Sequence, residues 1–216
     1  MYQKMLLSEK IVENITDLIV KGYYKPGDKL PNELDMSSEL GISRASLREA
    51  FKILESRNII EVKRGIGTFI ASMPGLSDDP LGSRFINEET NKNDSLRIIA
   101  FIGGMLIEKS EYLDVQGRQH LEAALKRAEQ WQTPTAAERY LHVLEVLNEI
   151  AILTESDYLR RLWRIHTLTA ERLFKGKSVT ADEYFLGFYS QFKQALQNQD
   201  ISAASAAFKG IVDTLR

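Results

Sequence analysis

Apolar residues recur at intervals of three and four along most of the chain, the spacing that places them on one face of an α-helix. In the N-terminal third this pattern predicts three helices. The first begins at a Ser8 cap, the second covers residues 32–40, and the third runs from a Ser43 cap to about Arg57. Residues 59–72, "IIEVKRGIGTFIAS", have β-branched residues on both sides of a glycine-containing turn and predict a β-hairpin. This order of elements is the plan of a winged helix-turn-helix.

The remainder of the chain predicts a different architecture. Residues 73–94 are rich in Pro, Gly, Ser, Asn and acidic residues and are typical of a linker. Residues 95–216 keep the helical spacing and contain one proline, so they predict an all-α bundle of about six helices. These helices are expected near residues 95–113, 115–131, 135–153, 156–174, 180–198 and 201–215. The predicted fold is therefore mainly α: a winged helix-turn-helix over residues 1–72, a linker over 73–94, and a helical domain over 95–216.

Composition narrows the classes of protein. The 216 residues include no cysteine, which excludes disulfides, thiolate metal sites and a cysteine nucleophile. The net charge is −2; residues 1–72 hold 11 of the 28 Lys and Arg against 10 of the 30 Asp and Glu, so any basic surface must come from clustering. The apolar runs are too short for a membrane span and the N-terminus lacks a signal-peptide pattern, so we expect a cytoplasmic protein without membrane contact.

The third predicted helix has two unlike faces. Arg44, Arg48 and Lys52 follow one another at four-residue intervals, and apolar residues occupy the opposite side. On an isolated helix this pattern is typical of a solvated surface. In a helix-turn-helix, however, this second helix of the motif enters the major groove, where an arginine fork can bond guanine O6 and N7 together. The predicted DNA contacts are Ser43, Arg44, Ala45, Ser46, Arg48 and Lys52 on the helix, and Lys63, Arg64 and Gly65 at the hairpin tip.

Residues 30–72 resemble the DNA-binding domain of the GntR family of bacterial transcription regulators. The shared motifs are L-P-x-E, then S-R-x-x-L-R-E-A, then a wing ending in G-x-G-T-F-I. The resemblance implies that Arg44 and Arg48 contact operator bases and that the tip from Lys63 to Gly65 enters the minor groove. Two positions depart from the pattern: Leu34 replaces an arginine usual in the FadR-like branch, and Asn58 replaces a glycine at a helix end, where Asn tolerates the left-handed conformation.

The helical second domain resembles the effector domains of the FadR-like branch, whose members are homodimers that bind palindromic sites. Many of them bind a metal through one Asp and three His. By position, the corresponding residues here are Glu138, His142, Tyr189 and Ile211, and because the last two are poor replacements for imidazole we expect no metal and no other cofactor. A site built from the chain's three histidines, His120, His142 and His166, stays open as an alternative.

The same resemblance places a small-molecule effector site in the domain. Its expected polar lining is Glu138, Arg139, His142, Tyr189 and Lys193. Glu138 lies one turn from His142 and would favour the protonated imidazole, which would give an anion site or a pH response; a buried structural pair stays open as the alternative. The family's effector-binding arginine corresponds to Gly104, and the pair Gly103–Gly104 is expected to permit close helix packing. The segment "FLGFYSQF" at residues 185–192 is similar to one in the acyl-CoA-responsive regulator, although such an aromatic stripe is more often core.

These features predict a sequence-specific DNA-binding transcription regulator. We expect a homodimeric repressor on a palindromic operator in double-stranded DNA, with an operator affinity that a small metabolite in the helical domain modulates. An enzyme is not expected, because the sequence contains no phosphate-binding glycine loop, nucleophile elbow or H-E-x-x-H motif. The alternatives are a ligand-independent repressor or architectural protein, and an acyl-CoA-responsive regulator.

Overall fold

The computed structural model describes residues 2–77, 79–82, 85, 88–127, 136–174 and 183–215. The chain divides into two compact units, Met1–Asp78 and Asp79–Arg216, each with its own core. Each unit is described by itself below.

The first unit has the predicted helix-turn-helix and hairpin. Its elements are α1 (Tyr2–Val20), α2 (Glu33–Glu39), α3 (Arg44–Ser56), β1 (Ile60–Lys63) and β2 (Gly67–Ile70). The strands are antiparallel, in a register that pairs Ile60 with Ile70 and Lys63 with Gly67. The prediction of a Ser8 cap is wrong: α1 already begins at Tyr2, and Ser8 is a buried residue inside it. Residues 3–7 are mostly good helix formers, so the helix extends past the serine towards the N-terminus.

Two caps and one glycine set the positions of α2 and α3. Asn32 accepts hydrogen bonds of 3.0 Å from the backbone N–H groups of Leu34 and Asp35 and so caps α2. Ser43 caps α3, as predicted. Gly41 joins the helices with a φ of 63°, a conformation that glycine adopts without steric cost. The predicted apolar face of α3 is buried and packs on α1 and the hairpin, through Leu47, Ala50, Phe51 and Leu54.

A third extended segment, residues 27–30, flanks the hairpin. It pairs with β2 through Leu30 N–H to Thr68 O (2.8 Å) and Ile70 N–H to Asp28 O (2.8 Å). The sequence predicts a loop and no strand here, because Pro26, Gly27 and Pro31 interrupt any strand pattern. The wing therefore has a supported edge on its β2 side.

Asn58 joins the end of α3 to the segment that follows the wing. Its φ is 52°, in the left-handed region, as the sequence predicts for a residue at this helix end. Its side-chain Nδ2 donates to Leu76 O, and its own carbonyl accepts from Gly75 N–H at 2.9 Å. Glycine would provide the same backbone conformation but not the side-chain bond, which gives a physical reason for asparagine here.

The second unit is a helical bundle. Its helices in the described residues are α4 (Glu88–Lys109), α5 (Val115–Arg127), α6 (Ala136–Leu153), α7 (Asp157–Phe174), α8 (Glu183–Gln197) and α9 (Ile201–Asp213). All six predicted helices are present in the described residues, while the predicted helical residues 128–131, 135 and 180–182 lie outside the described residues. Two corrections concern α4. It begins seven residues earlier than predicted, inside the predicted linker, and ends at Lys109, where Ser110–Tyr112 form a 3-10 turn. Within the described residues, no helix has the length and apolar character needed to cross a membrane.

Close packing in this core depends on one of the two adjacent glycines of α4. A Cβ on Gly103 would lie 2.2 Å from Phe208 Cε1 on α9, whereas a Cβ on Gly104 would meet nothing within 4 Å. Most of the aromatic stripe on α8 is also core: Phe185, Tyr189 and Phe192 are buried. The expectation that the glycine pair permits close packing is thus met by Gly103 alone.

Candidate nucleic-acid interface and candidate effector site

One face of α3 is exposed and basic. Arg44, Ala45, Arg48 and Lys52 all lie on it, next to the exposed Ser43 cap. Ser46, also predicted as a DNA contact, is only 4% exposed. It lies three residues after the cap, on the inner side of the helix, where its Oγ is 2.8 Å from Ser43 Oγ and its N–H donates to Ser43 Oγ at 3.1 Å. The structure therefore places Ser46 in the cap and not on the exposed face.

The second arginine of this face is held by an ion pair. Arg48 Nε donates to Glu33 Oε2 at 2.6 Å, so the glutamate of the L-P-x-E segment contacts the arginine of the L-R-E-A segment. Lys52 pairs with Glu49 at 3.0 Å on the same helix. Arg44 has no ion pair with any residue that the structure describes. A charge-assisted hydrogen bond orients a guanidinium. The side chain of Arg48 is therefore held in one orientation, whereas that of Arg44 can change its rotamer when it meets DNA.

The wing tip is an exposed basic turn. Arg64, Gly65 and Ile66 form the turn, closed by Ile66 N–H to Lys63 O at 3.0 Å, and Gly65 has a φ of 74°. Lys63 Nζ lies 4.8 Å from the centroid of the Phe69 ring and 3.8 Å from a Glu61 carboxylate oxygen. All three predicted wing residues, Lys63, Arg64 and Gly65, are therefore at the surface of the turn.

Lys29 is a candidate DNA contact that the sequence did not indicate. It bridges to Phe69 in the sheet, and its Nζ lies 5.9 Å from the centroid of the same aromatic ring that Lys63 covers. Its side chain crosses Gly67, where an added Cβ would lie 2.5 Å from Lys29 Cε. Lysine in a Pro- and Gly-rich loop gives no pattern by itself. The sequence feature that could have indicated this contact is Gly67, the second glycine of G-x-G, because a glycine in a strand often marks a place where another group approaches the backbone closely.

In the helical unit, His142 and Tyr189 form a buried hydrogen-bonded pair. Tyr189 Oη is 3.1 Å from His142 Nδ1, and His142 Nε2 is 3.0 Å from the Ala124 carbonyl oxygen. A carbonyl can only accept, so Nε2 carries the hydrogen, and in the neutral ring Nδ1 accepts from the tyrosine hydroxyl. The side chains are 1% and 6% exposed, respectively. The pair thus links α6 to both α5 and α8.

The expectation of a protonated imidazole is wrong. Burial is the largest cause that lowers the pKa of His142, and the nearby Lys193 and Arg127 cations lower it as well, whereas the Ala124 carbonyl and the Glu145 carboxylate raise it. A carboxylate that raises the pKa is that of Glu145, while the predicted partner Glu138 is exposed. One-turn spacing places an acid near the histidine, but it does not show how deeply the ring is buried.

Two cations flank the tyrosine of this pair. The guanidinium carbon of Arg139 lies 5.5 Å from the centroid of the Tyr189 ring, and Lys193 Nζ lies 6.0 Å from it. Four of the five predicted effector residues therefore lie together, and the polar atoms of the two at their centre, His142 and Tyr189, are already hydrogen bonded. Three cavities of this unit, of about 420, 460 and 560 Å³, are lined by other residues.

The residues do not fit the metal site that the resemblance implies. Both ring nitrogens of His142 are already hydrogen bonded, and Ile211 is fully buried in the apolar core. Of the three histidines in the alternative site, His120 is exposed on α5, His142 is buried on α6 and His166 is half-buried on α7. Among the described residues, which include all three, no group of three or more His, Asp or Glu side chains could hold a metal ion.

A capped helix that exposes arginines, beside a basic β-hairpin, defines the first unit as a winged-helix DNA-binding domain. Comparison with known proteins agrees: the profile of bacterial regulatory proteins of the gntR family matches residues 7–70. The first unit is therefore a DNA-binding domain of the gntR family of bacterial regulatory proteins.

Individual relatives extend the likeness beyond the first unit. RmpR of Mycobacterium gastri, named as an HTH-type transcriptional regulator, is 29% identical over 199 residues, or 82% of this chain and 73% of that protein. The Glc operon transcriptional activator of Escherichia coli K12 is 33% identical over 99 residues, or 45% of this chain and 39% of that protein. Streptococcus agalactiae GntR has a similar fold, with a TM-score of 0.70 at 23% identity over 96% of this chain and 98% of that one.

Proposed function

We propose that this protein is a cytoplasmic, homodimeric repressor that reads a palindromic operator with α3 and the wing. In this proposal a small metabolite, bound in the helical unit, modulates its affinity for the operator. The observation that carries the DNA-reading part is the exposed face of α3, where Ser43 caps the helix and Glu33 orients Arg48. An arginine fork preset in this way meets guanine O6 and N7 with less loss of side-chain freedom.

An apolar stripe on α4 supports the dimer. Ile98, Phe101 and Met105 lie on one face of this helix at spacings of three and four, and Phe101 is 71% exposed. Contiguous exposed apolar side chains of this kind mark interaction surfaces. A two-fold symmetric pair of chains would carry two copies of α3, which matches the symmetry of a palindromic operator.

Modulation by a metabolite requires that the ligand bind one arrangement of the dimer better than another. Either anchoring residues or a cavity in the helical unit could provide this difference. A second candidate function, a repressor that needs no ligand, is favoured by the closed centre around His142 and Tyr189, whose polar atoms already bond to one another. The predicted effector residues then serve stability instead of recognition.

Selection of genomic DNA fragments by the purified protein at a fixed salt concentration tests the proposal. A recovered palindrome beside a small set of metabolic genes is the expected result, and the substrates of those genes then become the metabolites to assay. Fragments without a common sequence would contradict sequence-specific reading. A palindrome whose affinity responds to no metabolite of the neighbouring genes would favour the ligand-independent repressor.

A further inference from the structure

A cavity in the second unit lies away from the pair of His142 and Tyr189. It has a volume of about 420 Å³ and is formed where α5 meets the end of α8 and the start of α9. Its apolar lining consists of the exposed Val115 and of four residues that belong to the bundle core or pack against it: Leu121, Leu125, Leu196 and Ile201. One part of the cavity therefore offers an apolar surface to a ligand.

Arg118 provides the opposite chemistry at the same cavity. Its guanidinium donates from Nη1 to Gln199 Oε1 and from Nη2 to the Glu111 carbonyl oxygen at 3.0 Å. These acceptors are an amide and a backbone carbonyl, so neither neutralises the charge. A guanidinium has five N–H donors, and only these two have acceptors in the part of the chain that the structure describes. Arg118 is thus a cation whose orientation is fixed by two hydrogen bonds and whose other N–H groups can bind a ligand.

The acidic side chain that lines the cavity forms an ion pair with a residue other than Arg118. Glu122 follows Arg118 by one helical turn, a spacing at which the two could pair. Instead its Oε1 lies 2.6 Å from Lys126 Nζ, one turn further along the helix. The positive charge of Arg118 is therefore not balanced by an ion pair within the cavity.

We propose that this cavity binds an amphipathic organic anion. Its carboxylate or phosphate oxygens meet the Arg118 guanidinium, whose fork matches either group, and its apolar part lies against Leu121, Leu125 and Leu196. The binding site stands on the cavity itself; that its ligand modulates operator affinity rests on the proposed function.

Isothermal titration of the full chain with sodium hexanoate, hexyl phosphate and 1-hexanol tests the assignment. The expected result is that one or both anions bind roughly tenfold or more tightly than the alcohol, because the alcohol lacks a charge-assisted bond. Arg118→Gln should remove this preference. The matched control is Arg127→Gln on the same helix, because Arg127 pairs with Glu149 and does not line the cavity.

Gln119→Trp gives a second test that leaves the arginine in place. Gln119 is an exposed residue of the cavity lining, so a bulky side chain there should block the ligand without disturbing the core. Equal binding of all three probes, full anion affinity in Arg118→Gln or in Gln119→Trp, or binding of acetate as tight as that of hexanoate would each overturn the proposal. Failure of both hexyl anions to bind would do the same.

Operator titration with saturating hexanoate separates this proposal from the proposed function. Hexanoate bound through Arg118 with no change in operator affinity would support the site and overturn its regulatory role. No binding of either anion, together with an operator affinity that another metabolite changes, would overturn the site and leave the proposed function intact.

Discussion

Arg48 on α3 and Glu33 at the start of α2 are joined by a hydrogen-bonded ion pair of 2.6 Å. The two helices of the helix-turn-helix are thus connected at the surface that reads DNA, and not only through their buried faces. Both side chains are partly exposed, at 57% and 33%, so the pair contributes little to the stability of the fold. Its main effect is on where the guanidinium points before DNA arrives.

Glu33→Gln should therefore change recognition more than stability. We expect the unfolding free energy to fall by no more than about 1 kcal/mol. The ratio of operator affinity to random-sequence affinity should fall two- to fivefold, roughly 0.5–1 kcal/mol. Operator affinity falls because Arg48 loses its orientation, and random-sequence affinity rises because a negative charge near the phosphates is removed. Binding titrations with both DNAs measure the ratio. An unchanged ratio would show that Arg48 needs no positioning.

Arg44→Ala and Arg48→Ala should each weaken operator binding by about 1–3 kcal/mol and relax specificity at one base pair. The physical reason is the loss of a guanidinium that can bond two acceptors of one guanine. Titration against the operator and its single-base variants measures both effects. Lys21→Ala, which removes an exposed cation just after α1 that pairs with Asp17, is the control for net charge. Normal operator binding in both arginine variants would contradict the proposed role of α3.

Lys29→Met should reduce the salt dependence of DNA binding. If Lys29 reaches a phosphate from its position beside Phe69, the slope of log affinity against log salt concentration should become shallower by about 1, without a change in base preference. The control is Lys25→Met, in the same loop but without a contact to Phe69 among the described residues. A slope identical to that of the parent protein would exclude the phosphate contact.

The adjacent glycines of α4 should respond to alanine in opposite directions. Gly103→Ala places a Cβ against the buried ring of Phe208 and should destabilise the fold by about 1–3 kcal/mol through overpacking. Gly104→Ala meets open space and should stabilise it by up to about 1 kcal/mol through helix propensity. Denaturant unfolding of both variants gives the comparison. Phe208→Leu should restore part of the stability lost in Gly103→Ala, and equal effects of the two alanines would contradict the packing described.

The buried histidine should make stability depend on pH. The pKa of His142 is lowered in the folded protein, so the unfolded chain binds the extra proton more readily. The unfolding free energy should therefore fall as the pH drops from the ordinary histidine value of about 6.5 towards the lowered folded pKa. His142→Gln should flatten this dependence, while His120→Gln on the exposed face of α5 should keep it. A dependence that is the same in all three proteins would assign it to other groups.

Tyr189→Phe isolates the hydrogen bond within the pair. Removal of the hydroxyl leaves Nδ1 of His142 buried without its donor, so the unfolding free energy should fall by about 1–3 kcal/mol. Denaturant unfolding at a pH well above the histidine range measures the loss. No loss would mean that the hydroxyl contributes nothing to the closed centre.

Local features of this fold could be predicted from the sequence, and contacts between distant segments could not. The Ser43 cap, the amphipathic α3 and the left-handed Asn58 follow from neighbouring residues alone. The pairing of residues 27–30 with β2 is made by backbone groups, so no side-chain pattern indicates it. The inward position of Ser46 depends on packing that spacing alone does not determine.

The same division applies to the sites. Arg44 and Arg48 were predictable because a motif and a helix face both mark them. The neutral state of His142 was not, because burial by surrounding helices outweighs the acid one turn away. Arg118 was missed because its cavity combines residues from α5 and from the junction of α8 and α9, about 80 positions apart, as in its bond to Gln199.

The double attachment of Asn58 has a mechanical consequence. The chain that leaves the wing is bonded to Asn58, two residues after the end of α3, through the side chain and the carbonyl of that asparagine. A force applied to residues 75–76 is therefore transmitted directly to the residue that follows α3. A glycine at position 58 would leave the helix intact but remove the side-chain bond to Leu76. A displacement of residues 75–76 would then move the end of α3, and the exposed arginines on that helix, less than it does with asparagine.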